Sequence, residues 1–396
     1  MATHNWAKVY FYEEFAGYLE QKSGGDYLFT YDDDFRKKQI SISIQLPISK
    51  KEHISKNGLH PFFDNLIAEG IQAKIQAKAL GINESERFKL LLAFGFDLIG
   101  AVSIEDPKPD YKVKIDNADC FQKATLTPRA SISGVQSKLL IVKDTHRYRP
   151  ANFGEVSTHI AKLAGNLDSI IENEFLTMKI TAILLDKDKV AEVGISEIEN
   201  LGKALIVKRF DRTENKQKIH FEEFTQILGN GSEDKYDGSY KEMADFMNNN
   251  PRFFNKIDIE KLFRRILACI LLGNTDAHKK NFAMFKNRDN FDFTPIYDMV
   301  FVKYYPDYSS EMALNIIPET NIKIQNLKAK HLKILSQDFA LNEKVLVKIK
   351  KDFEKRLDLI YKFLETETHI YCDLRNKLKE HIEKRWQGLF KNIGQK

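Results

Sequence analysis

The chain has 396 residues, of which 43% are hydrophobic, 11% aromatic and 30% charged, and its formal net charge at pH 7 is +5. A chain of this length and composition is expected to fold into two or three globular domains with substantial cores. Because 61 basic residues are nearly balanced by 56 acidic ones, the charge falls short of the strongly basic surface of a dedicated nucleic-acid-binding domain.

The N-terminal stretch and the cysteines indicate the compartment. The start, MATHNWAKVYFYEEF, has no basic region followed by an apolar one, and the longest strongly apolar run, Ile266 to Leu272, is too short to span a bilayer. The three cysteines are far apart and odd in number, so they predict neither a disulfide framework nor a zinc knuckle. We expect a cytoplasmic protein with reduced cysteines and no membrane partner.

The first region, residues 1–106, is predicted to be a small α/β domain. WAKVYFY and DYLFTY are predicted strands with a turn at residues 23–26 between them. Alternation of isoleucine with serine from Ile40 to Leu46 predicts a further half-buried strand.

Helices are predicted in the second half of this region. One runs from His60 to Gly70, where the glycine ends it, and another follows a capping pair formed by Asn83 and Glu86. A short strand is expected at residues 99–104. The charged, proline-containing segment EDPKPDY, residues 105–111, then marks a domain boundary.

A loop of small residues opens the second region, residues 107–224. In TPRASISGVQSKLLIVKD this loop precedes Lys138 and a predicted strand, Leu139 to Val142. Small side chains let backbone N–H groups approach phosphate oxygens, so the loop is a candidate phosphate-binding loop. Since it has only one glycine, Gly134, a hairpin turn with surface serines is the alternative interpretation.

A strand and a helix follow that can position a lysine. The predicted strand His159 to Leu163 carries Lys162, and the predicted helix Ile170 to Leu185 carries Glu174 near its start. Kinases hold the lysine that binds ATP phosphates by pairing it with a helix glutamate. The alternative is that Lys162 is a solvated surface group.

After a further predicted strand, Ala204 to Phe210, the character of the sequence changes from strands to helices. Residues 225–396 are predicted to be helical, and an apolar stripe marks the C-terminal helices. The lysines opposite this stripe are best interpreted as a solvated face. Strands followed by helices predict an α+β, bilobal enzyme with a β-rich N-lobe and a helical C-lobe.

The stretch from Leu267 to Val300 contains the candidate catalytic residues. A helix is predicted to end at Gly273, followed by a polar loop with Asp276 and Asn281, then a β-hairpin and Asp298. A phosphotransferase needs an Asp to orient the attacking hydroxyl, an Asn for metal and a second Asp to bridge that metal to phosphate. The interval from Asp276 to Asn281 equals that of the kinase loop H-R-D-x-x-x-x-N, although His278 follows the Asp here. A polar loop with an Asx turn is the alternative interpretation.

Several motifs in one order resemble the HipA family of bacterial serine/threonine kinases, which are toxins of toxin–antitoxin modules. The motifs are SISGVQSKLL, THIAKL, NEF, VKRFDR, NTDAHKKNF and TPIYD, and FFDNL with IGAVSI extends the likeness to the family's small N-terminal domain. The resemblance implies a kinase-like fold, ATP and Mg²⁺ as cofactors, and an N-terminal domain fused to the kinase core.

The resemblance also implies roles for individual residues. The catalytic Asp falls on Asp276, the metal ligands on Asn281 and Asp298, and the lysine and glutamate of the phosphate site on Lys162 and Glu174. Asn173 precedes that glutamate in the NEF motif. The remaining nucleotide-binding residues that it implies are Ser133, Gly134, Val135, Gln136 and His278.

Family members phosphorylate a serine of their own phosphate loop, which silences the kinase. The matching position is Ser131, and Ser133 is a second candidate because this chain has serine where alanine is frequent. Ser137 likewise replaces a frequent acidic residue. The family's usual partner is a helix-turn-helix antitoxin that contacts DNA, and its known substrates include aminoacyl-tRNA synthetases.

Three functions are weighed on these grounds: a protein kinase toxin, a small-molecule phosphotransferase, and a corepressor-like binding module without turnover. Kinase-like lobes also serve small substrates, which keeps the second open. Retention of Lys162, Asp276, Asn281 and Asp298 together favours an active enzyme over the third.

Overall fold

The structure is a computed structural model of the chain, and it describes residues 5–109, 111–116, 118–132, 136–145, 147–165, 167–288, 290–318 and 320–395. These residues form two compact units. The first unit comprises Met1–Asp168 and Glu192–Glu233, and the second comprises Ser169–Ala191 and Asp234–Lys396. The predicted domain boundaries after residues 106 and 224 stay predictions.

The first unit begins with an antiparallel five-stranded sheet in the order β4-β3-β2-β1-β5. Its strands are β1 (Trp6–Phe11), β2 (Glu14–Gln21), β3 (Tyr27–Tyr31), β4 (Glu52–Ser55) and β5 (Val102–Glu105). The helices of this part are α1 (Asp33–Arg36), α2 (Pro61–Asp64), α3 (Gly70–Leu80), α4 (Arg87–Phe94) and α5 (Cys120–Leu126).

A second antiparallel sheet of the first unit has the order β7-β6-β8-β10-β9. Its first strands are β6 (Lys138–Lys143), β7 (Tyr148–Pro150) and β8 (His159–Leu163), after which the chain enters the second unit as α6 (Ile170–Leu185). On return it forms β9 (Val193–Ile198), β10 (Gly202–Lys208), β11 (Phe221–Glu223) and α7 (Phe224–Leu228). One face of this sheet buries Leu139, Ile141, Ala161 and Ile206.

The second unit is mainly helical and is built around α9. Its remaining elements are α8 (Tyr240–Asn249), α9 (Lys256–Leu272), β12 (Ala283–Asn287), β13 (Asn290–Phe293), α10 (Ala329–Asp338), α11 (Glu343–Thr366) and α12 (Cys372–Gly388). Helix α9 packs against α6, α8 and α12. Every residue from Arg265 to Leu272 is therefore buried. The predicted apolar stripe is the buried face of α11.

Most predicted elements are confirmed, including the strand His159–Leu163, the helix Ile170–Leu185 and the hairpin after the loop that carries Asp276. The described part of the chain has no helix long and apolar enough to cross a membrane. The mixture of antiparallel sheets and a helical second unit confirms the α+β class.

The strand predicted at residues 40–46 is wrong. This segment is a loop, because side chains bind the backbone groups that a neighbouring strand would bind. The Tyr31 hydroxyl accepts a hydrogen bond from Ile42 N (3.0 Å), and the Glu222 carboxylate accepts bonds from Ile44 N (3.1 Å) and Ser43 Oγ (2.5 Å). The alternation does not follow burial in this loop either, because Ser43 is fully buried whereas Ile44 is half-buried.

The helix predicted from His60 to Gly70 is also wrong in its extent. Only Pro61–Asp64 is helical, and Gly70 begins α3 where it was expected to end a helix. Gly70 has φ +57°, a conformation that glycine adopts at little cost, so the chain can change direction where α3 begins.

Four charged side chains form a buried network in the first unit. Arg209 and Arg212 pair with Asp97 and Asp211 at distances between 2.6 and 3.3 Å, and each side chain is at most 5% exposed. Burial raises the pKa of the Asp97 carboxyl, but the charges of Arg209 and Arg212 outweigh this effect, so the pKa lies well below its usual range. The arginines of VKRFDR thus bind the segment that carries Asp97.

We expect Asp97→Ala to destabilise the first unit by about 3–5 kcal/mol, because it leaves two buried arginine charges with a single carboxylate, that of Asp211. The Asp97 contribution is present above the unfolded pKa of about 4 and is lost as the pH falls through the lower folded pKa. Urea unfolding followed by circular dichroism measures the change. The control is Glu214→Ala, which breaks an exposed pair with Lys208 (2.6 Å) and should change stability little, because solvent screens such a pair. Equal unfolding midpoints for the two variants would contradict a structural role for the network.

Candidate active site

The loop that carries Asp276 begins where α9 ends at Gly273. This residue has φ +74°, and Asn274 N donates a hydrogen bond to Cys269 O (2.9 Å), which closes the helix. A Cβ at position 273 would lie 2.8 Å from His381 Nε2 and 3.0 Å from Phe301 Cδ2. Both the backbone conformation and the close neighbours therefore require glycine at position 273. The prediction that the helix ends at Gly273 is confirmed.

Asn274 connects the loop to the segment that carries Asp298. Its side chain is buried, with Oδ1 accepting a hydrogen bond from Asp276 N (3.2 Å) and Nδ2 donating one to Asp298 O (3.3 Å). The structure thus brings together two of the residues predicted for phosphoryl transfer. The sequence analysis missed Asn274, although a buried amide directly after a helix-ending glycine is a signal that can be sought.

Asp276 is exposed, whereas the backbone that carries it is fixed. Tyr240 Oη donates a hydrogen bond to Ala277 O (2.8 Å), and Tyr236 Oη donates one to Asp276 Oδ1 (3.1 Å). Burial raises the pKa of the Tyr240 hydroxyl well above its usual value, and the charges of Cys269 and Asp276 act in the same direction. Tyr240 therefore remains a neutral donor, and the carboxylate of Asp276 is held in a position open to solvent.

His278 and Asn281 are joined by two hydrogen bonds at the C-terminal end of the same loop. His278 N donates a hydrogen bond to Asn281 Oδ1 (3.0 Å), and Asn281 N donates one to His278 O (2.9 Å). The Tyr236 ring meets the His278 ring edge-on, with centroids 5.0 Å apart. Asn281 and Met299 line one small cavity, which places the loop amide beside the Asp298 segment.

Asp298 lies in a strained part of the backbone. Its φ is +55°, a left-handed conformation that Asp and Asn tolerate better than most residues. Three residues later, Phe301 is held at both backbone groups by buried Asn173, which accepts from Phe301 N (2.8 Å) and donates to Phe301 O (3.0 Å). Such strain persists where surrounding contacts enforce it, and it concentrates at functional sites. Asn173 of the NEF motif therefore positions the segment after Asp298.

Two buried lysines face each other in the first unit. Lys162 on β8 pairs in register with Lys138 on β6, so both side chains emerge on the face opposite the apolar core of this sheet. They are 4% and 8% exposed. Two lysine side chains side by side on one face of a sheet make this face a candidate for binding an anion. Lys138 was missed as a site residue because strand register cannot be read from local sequence.

The remaining residues predicted for the nucleotide site belong to different units of the chain. Gln136 is half-buried in the first unit, Ser131 is buried there, and Ser133, Gly134 and Val135 lie outside the described residues. Glu174 is buried on α6 in the second unit. Its pairing with Lys162 stays a prediction.

Asn281 and Asp298 are the two residues predicted to bind a magnesium ion. No group of three or more His, Cys, Asp or Glu side chains suited to a metal occurs among the described residues. Asn281 and Asp298 instead offer an amide and a carboxylate oxygen. This set fits Mg²⁺, which prefers oxygen ligands and usually keeps several waters and substrate phosphate oxygens in its shell.

Comparison with known proteins identifies the family. Residues 130–361 match the model of the HipA-like C-terminal domain, and residues 7–105 match that of the HipA N-terminal domain. The chain is 28% identical over 352 residues to the putative kinase Y4dM of Sinorhizobium fredii, covering 84% of each chain. It is 27% identical over 323 residues to the serine/threonine-protein kinase toxin HipA of Shewanella oneidensis, covering 73% of each.

Two solved structures share the fold. One is the complex of Shewanella oneidensis HipA, HipB and operator DNA, with a TM-score of 0.79 and 20% identity over 98% of this chain and 99% of the other. The second is the Helicobacter pylori proinflammatory kinase CtkA, with a TM-score of 0.50 and 13% identity over 67% of this chain and 92% of the other. The predicted α+β kinase-like fold is thereby confirmed. The protein belongs to the HipA family, and it carries the N-terminal and the C-terminal HipA domains in one chain.

Proposed function

We propose that this chain is a Mg-ATP-dependent serine/threonine protein kinase that acts as the toxin of a toxin–antitoxin system. The observation that supports the proposal most is the double hydrogen bond of Asn274, which joins the backbone at Asp276 to the backbone at Asp298. Phosphoryl transfer needs a proton acceptor and a metal ligand held in fixed relation, and a buried amide supplies that fixed relation.

Each residue has a role in this proposal. The exposed Asp276 carboxylate orients the acceptor hydroxyl and accepts its proton. Asn281 and Asp298 hold Mg²⁺, which when bound offsets the negative charge of the phosphate oxygens. Lys162, assisted by Lys138, binds phosphate oxygens through the ammonium groups. Glu174 supports Lys162, and His278 with residues 133–136 completes the nucleotide site.

The proposed partners follow from the family. The Shewanella protein has been solved with HipB and operator DNA, which supports a HipB-like helix-turn-helix antitoxin as the partner of this chain. DNA would then be contacted mainly through that partner, in agreement with the mild net charge of +5. The proposed substrate is a component of translation, such as an aminoacyl-tRNA synthetase.

Labelled ATP tests the reaction and the class of acceptor. The purified chain, first treated with a phosphatase that is then removed, is incubated with γ-labelled ATP, Mg²⁺ and a cell lysate. The proposal predicts label on a protein of the lysate and on serine or threonine after hydrolysis. Label on a small molecule alone would instead indicate a small-molecule phosphotransferase, and absence of label would indicate a binding module; either result contradicts the proposal.

We further propose that the enzyme phosphorylates Ser131, Ser133 or both, and thereby inactivates itself. Ser131 is 2% exposed, and its hydroxyl has no hydrogen-bond partner among the described residues. A phosphoryl group adds a charge of about −1.5 to −2 at neutral pH, which cannot remain in so buried a position. Phosphorylation at Ser131 therefore requires the loop to leave this position.

We expect active enzyme to carry phosphate on one or both loop serines and the Asp276→Ala variant to carry none. Ser131→Asp should bind ATP more weakly than the matched control Ser131→Ala, because its charge repels the nucleotide phosphates. Ser133→Asp should show a similar or smaller loss. Peptide mass spectrometry and nucleotide titration measure these outcomes. Active enzyme without loop phosphate would overturn the autoregulatory mechanism.

A further inference from the structure

Helix α12 contains a buried arginine, Arg385, whose hydrogen-bonding capacity is only partly used among the described residues. Arg385 is 7% exposed, and its Nε and Nη2 atoms are fully buried and donate no hydrogen bond within the described part of the chain. A buried guanidinium without a counter-charge costs several kcal/mol. The arginines of the buried network and Arg265, which pairs with Asp188 at 2.7 Å, all have carboxylate partners. Arg385 therefore has a binding capacity that the described chain does not use.

Next to Arg385, His381 is a second buried group with a ring nitrogen that makes no hydrogen bond to the described residues. His381 lies one helical turn earlier on the same face of α12, and its buried Nε2 also has no hydrogen-bond partner among the described residues. Burial and, to a smaller extent, the charges of Arg385, Lys303 and Lys384 together lower the pKa of His381 to about 3. All the charged groups that act on His381 are cations, so an anion is favoured here.

Arg385 and His381 lie near the segment that follows Asp298 in the chain. The His381 ring contacts the Phe301 ring with centroids 5.0 Å apart, and Lys303 N donates a hydrogen bond to Gly273 O (3.3 Å). Lys303 Nζ donates to Ser310 Oγ (2.6 Å). The enclosed position of Arg385 restricts an occupant to a small ion rather than a segment of another protein.

We propose that Arg385 and His381 form a binding site for a small oxyanion of the size and charge of inorganic phosphate. The planar guanidinium can donate two parallel hydrogen bonds to such an ion, and the imidazole can donate a third. This binding site is separate from the residues proposed for ATP, and it does not depend on the kinase activity.

Thermal unfolding of the full chain tests the site with inorganic phosphate as the probe. Unfolding is followed in chloride buffer and in increasing phosphate at constant ionic strength, with excess Mg²⁺ and a non-hydrolysable ATP analogue to occupy a nucleotide site. A ligand that binds only the folded state raises the Tm in a saturable way. We expect such a rise for the wild type, with a parallel change in the fluorescence of Trp386, the residue after Arg385. A wild-type Tm that does not respond to phosphate would overturn the proposal.

Two variants of Arg385 give opposite expected results. Arg385→Met removes the buried charge, so its Tm in chloride should exceed that of the wild type, while the rise with phosphate should be lost. Lys384→Met is the matched control, since it removes one charge from an adjacent, largely exposed side chain and should keep the wild-type response. Retention of the phosphate response in Arg385→Met would contradict the site.

Arg385→Lys keeps the proposal testable if the methionine variant does not fold. Lysine retains the charge but cannot form two parallel bonds, so phosphate affinity should fall by about tenfold or more. An unchanged affinity would show that Arg385 does not bind the anion. Because these measurements follow stability and fluorescence, their result is independent of whether the chain transfers phosphate from ATP.

Discussion

Asp276→Ala is expected to lower the rate of phosphoryl transfer by about 10²–10⁴-fold, the usual loss when a general base is removed, with ATP affinity nearly unchanged. Asp276 is exposed and its backbone is held by other residues, so removal of the carboxylate should leave the fold intact. Initial rates with γ-labelled ATP and nucleotide titration measure the two effects.

The control for this variant is Asp292→Ala, which removes an exposed carboxylate from β13 in the same unit. It should transfer phosphate at the wild-type rate. Near wild-type turnover in purified Asp276→Ala would rule out Asp276 as the proton acceptor.

Asp298→Asn is expected to abolish the Mg²⁺-dependent part of ATP affinity and also turnover, because the carboxylate charge of a metal ligand is lost. Asparagine is the suitable substitution, since it tolerates the φ of +55° at this position. Calorimetric titration of ATP with and without Mg²⁺ measures the effect.

The Tm of Asp298→Asn should match that of the wild type, which separates loss of metal binding from loss of fold. The same Mg-ATP affinity in variant and wild type would contradict the assignment of Asp298 as a metal ligand. Loss of affinity equally in the absence of Mg²⁺ would contradict it as well.

Much of the fold could be predicted from local sequence patterns. The spacing of apolar residues along a short segment indicates which side chains of a helix or strand are buried. The strand His159–Leu163 and the helix Ile170–Leu185 have the predicted bounds. The segment Ile40 to Leu46 shows the limit of this reasoning. Its alternation is real, but the acceptor for its backbone is Glu222, which is 178 residues away from Ile44.

The same limit applies to the candidate site. Asp276, Asn281 and Asp298 could be proposed from the sequence because their residue types and order are those that phosphoryl transfer needs. Lys138 could not, since its place opposite Lys162 depends on strand register. Asn274 leaves only the signal of an amide after a helix-ending glycine, since its hydrogen bond to Asp298 O is a tertiary contact. Residues that position a site, rather than react in it, leave little signal in a single sequence.

Transfer of label from γ-labelled ATP to protein is the most direct measurement of the central claim. Phosphatase-treated wild type is compared with the double variant Asp276→Ala/Asp298→Asn, under the same conditions and in the presence of Mg²⁺ and lysate. Because both residues serve one reaction step, the double variant should transfer no more label than the weaker single variant, and the wild type should label a lysate protein. Equal labelling by wild type and double variant, or none by the wild type, would contradict the account.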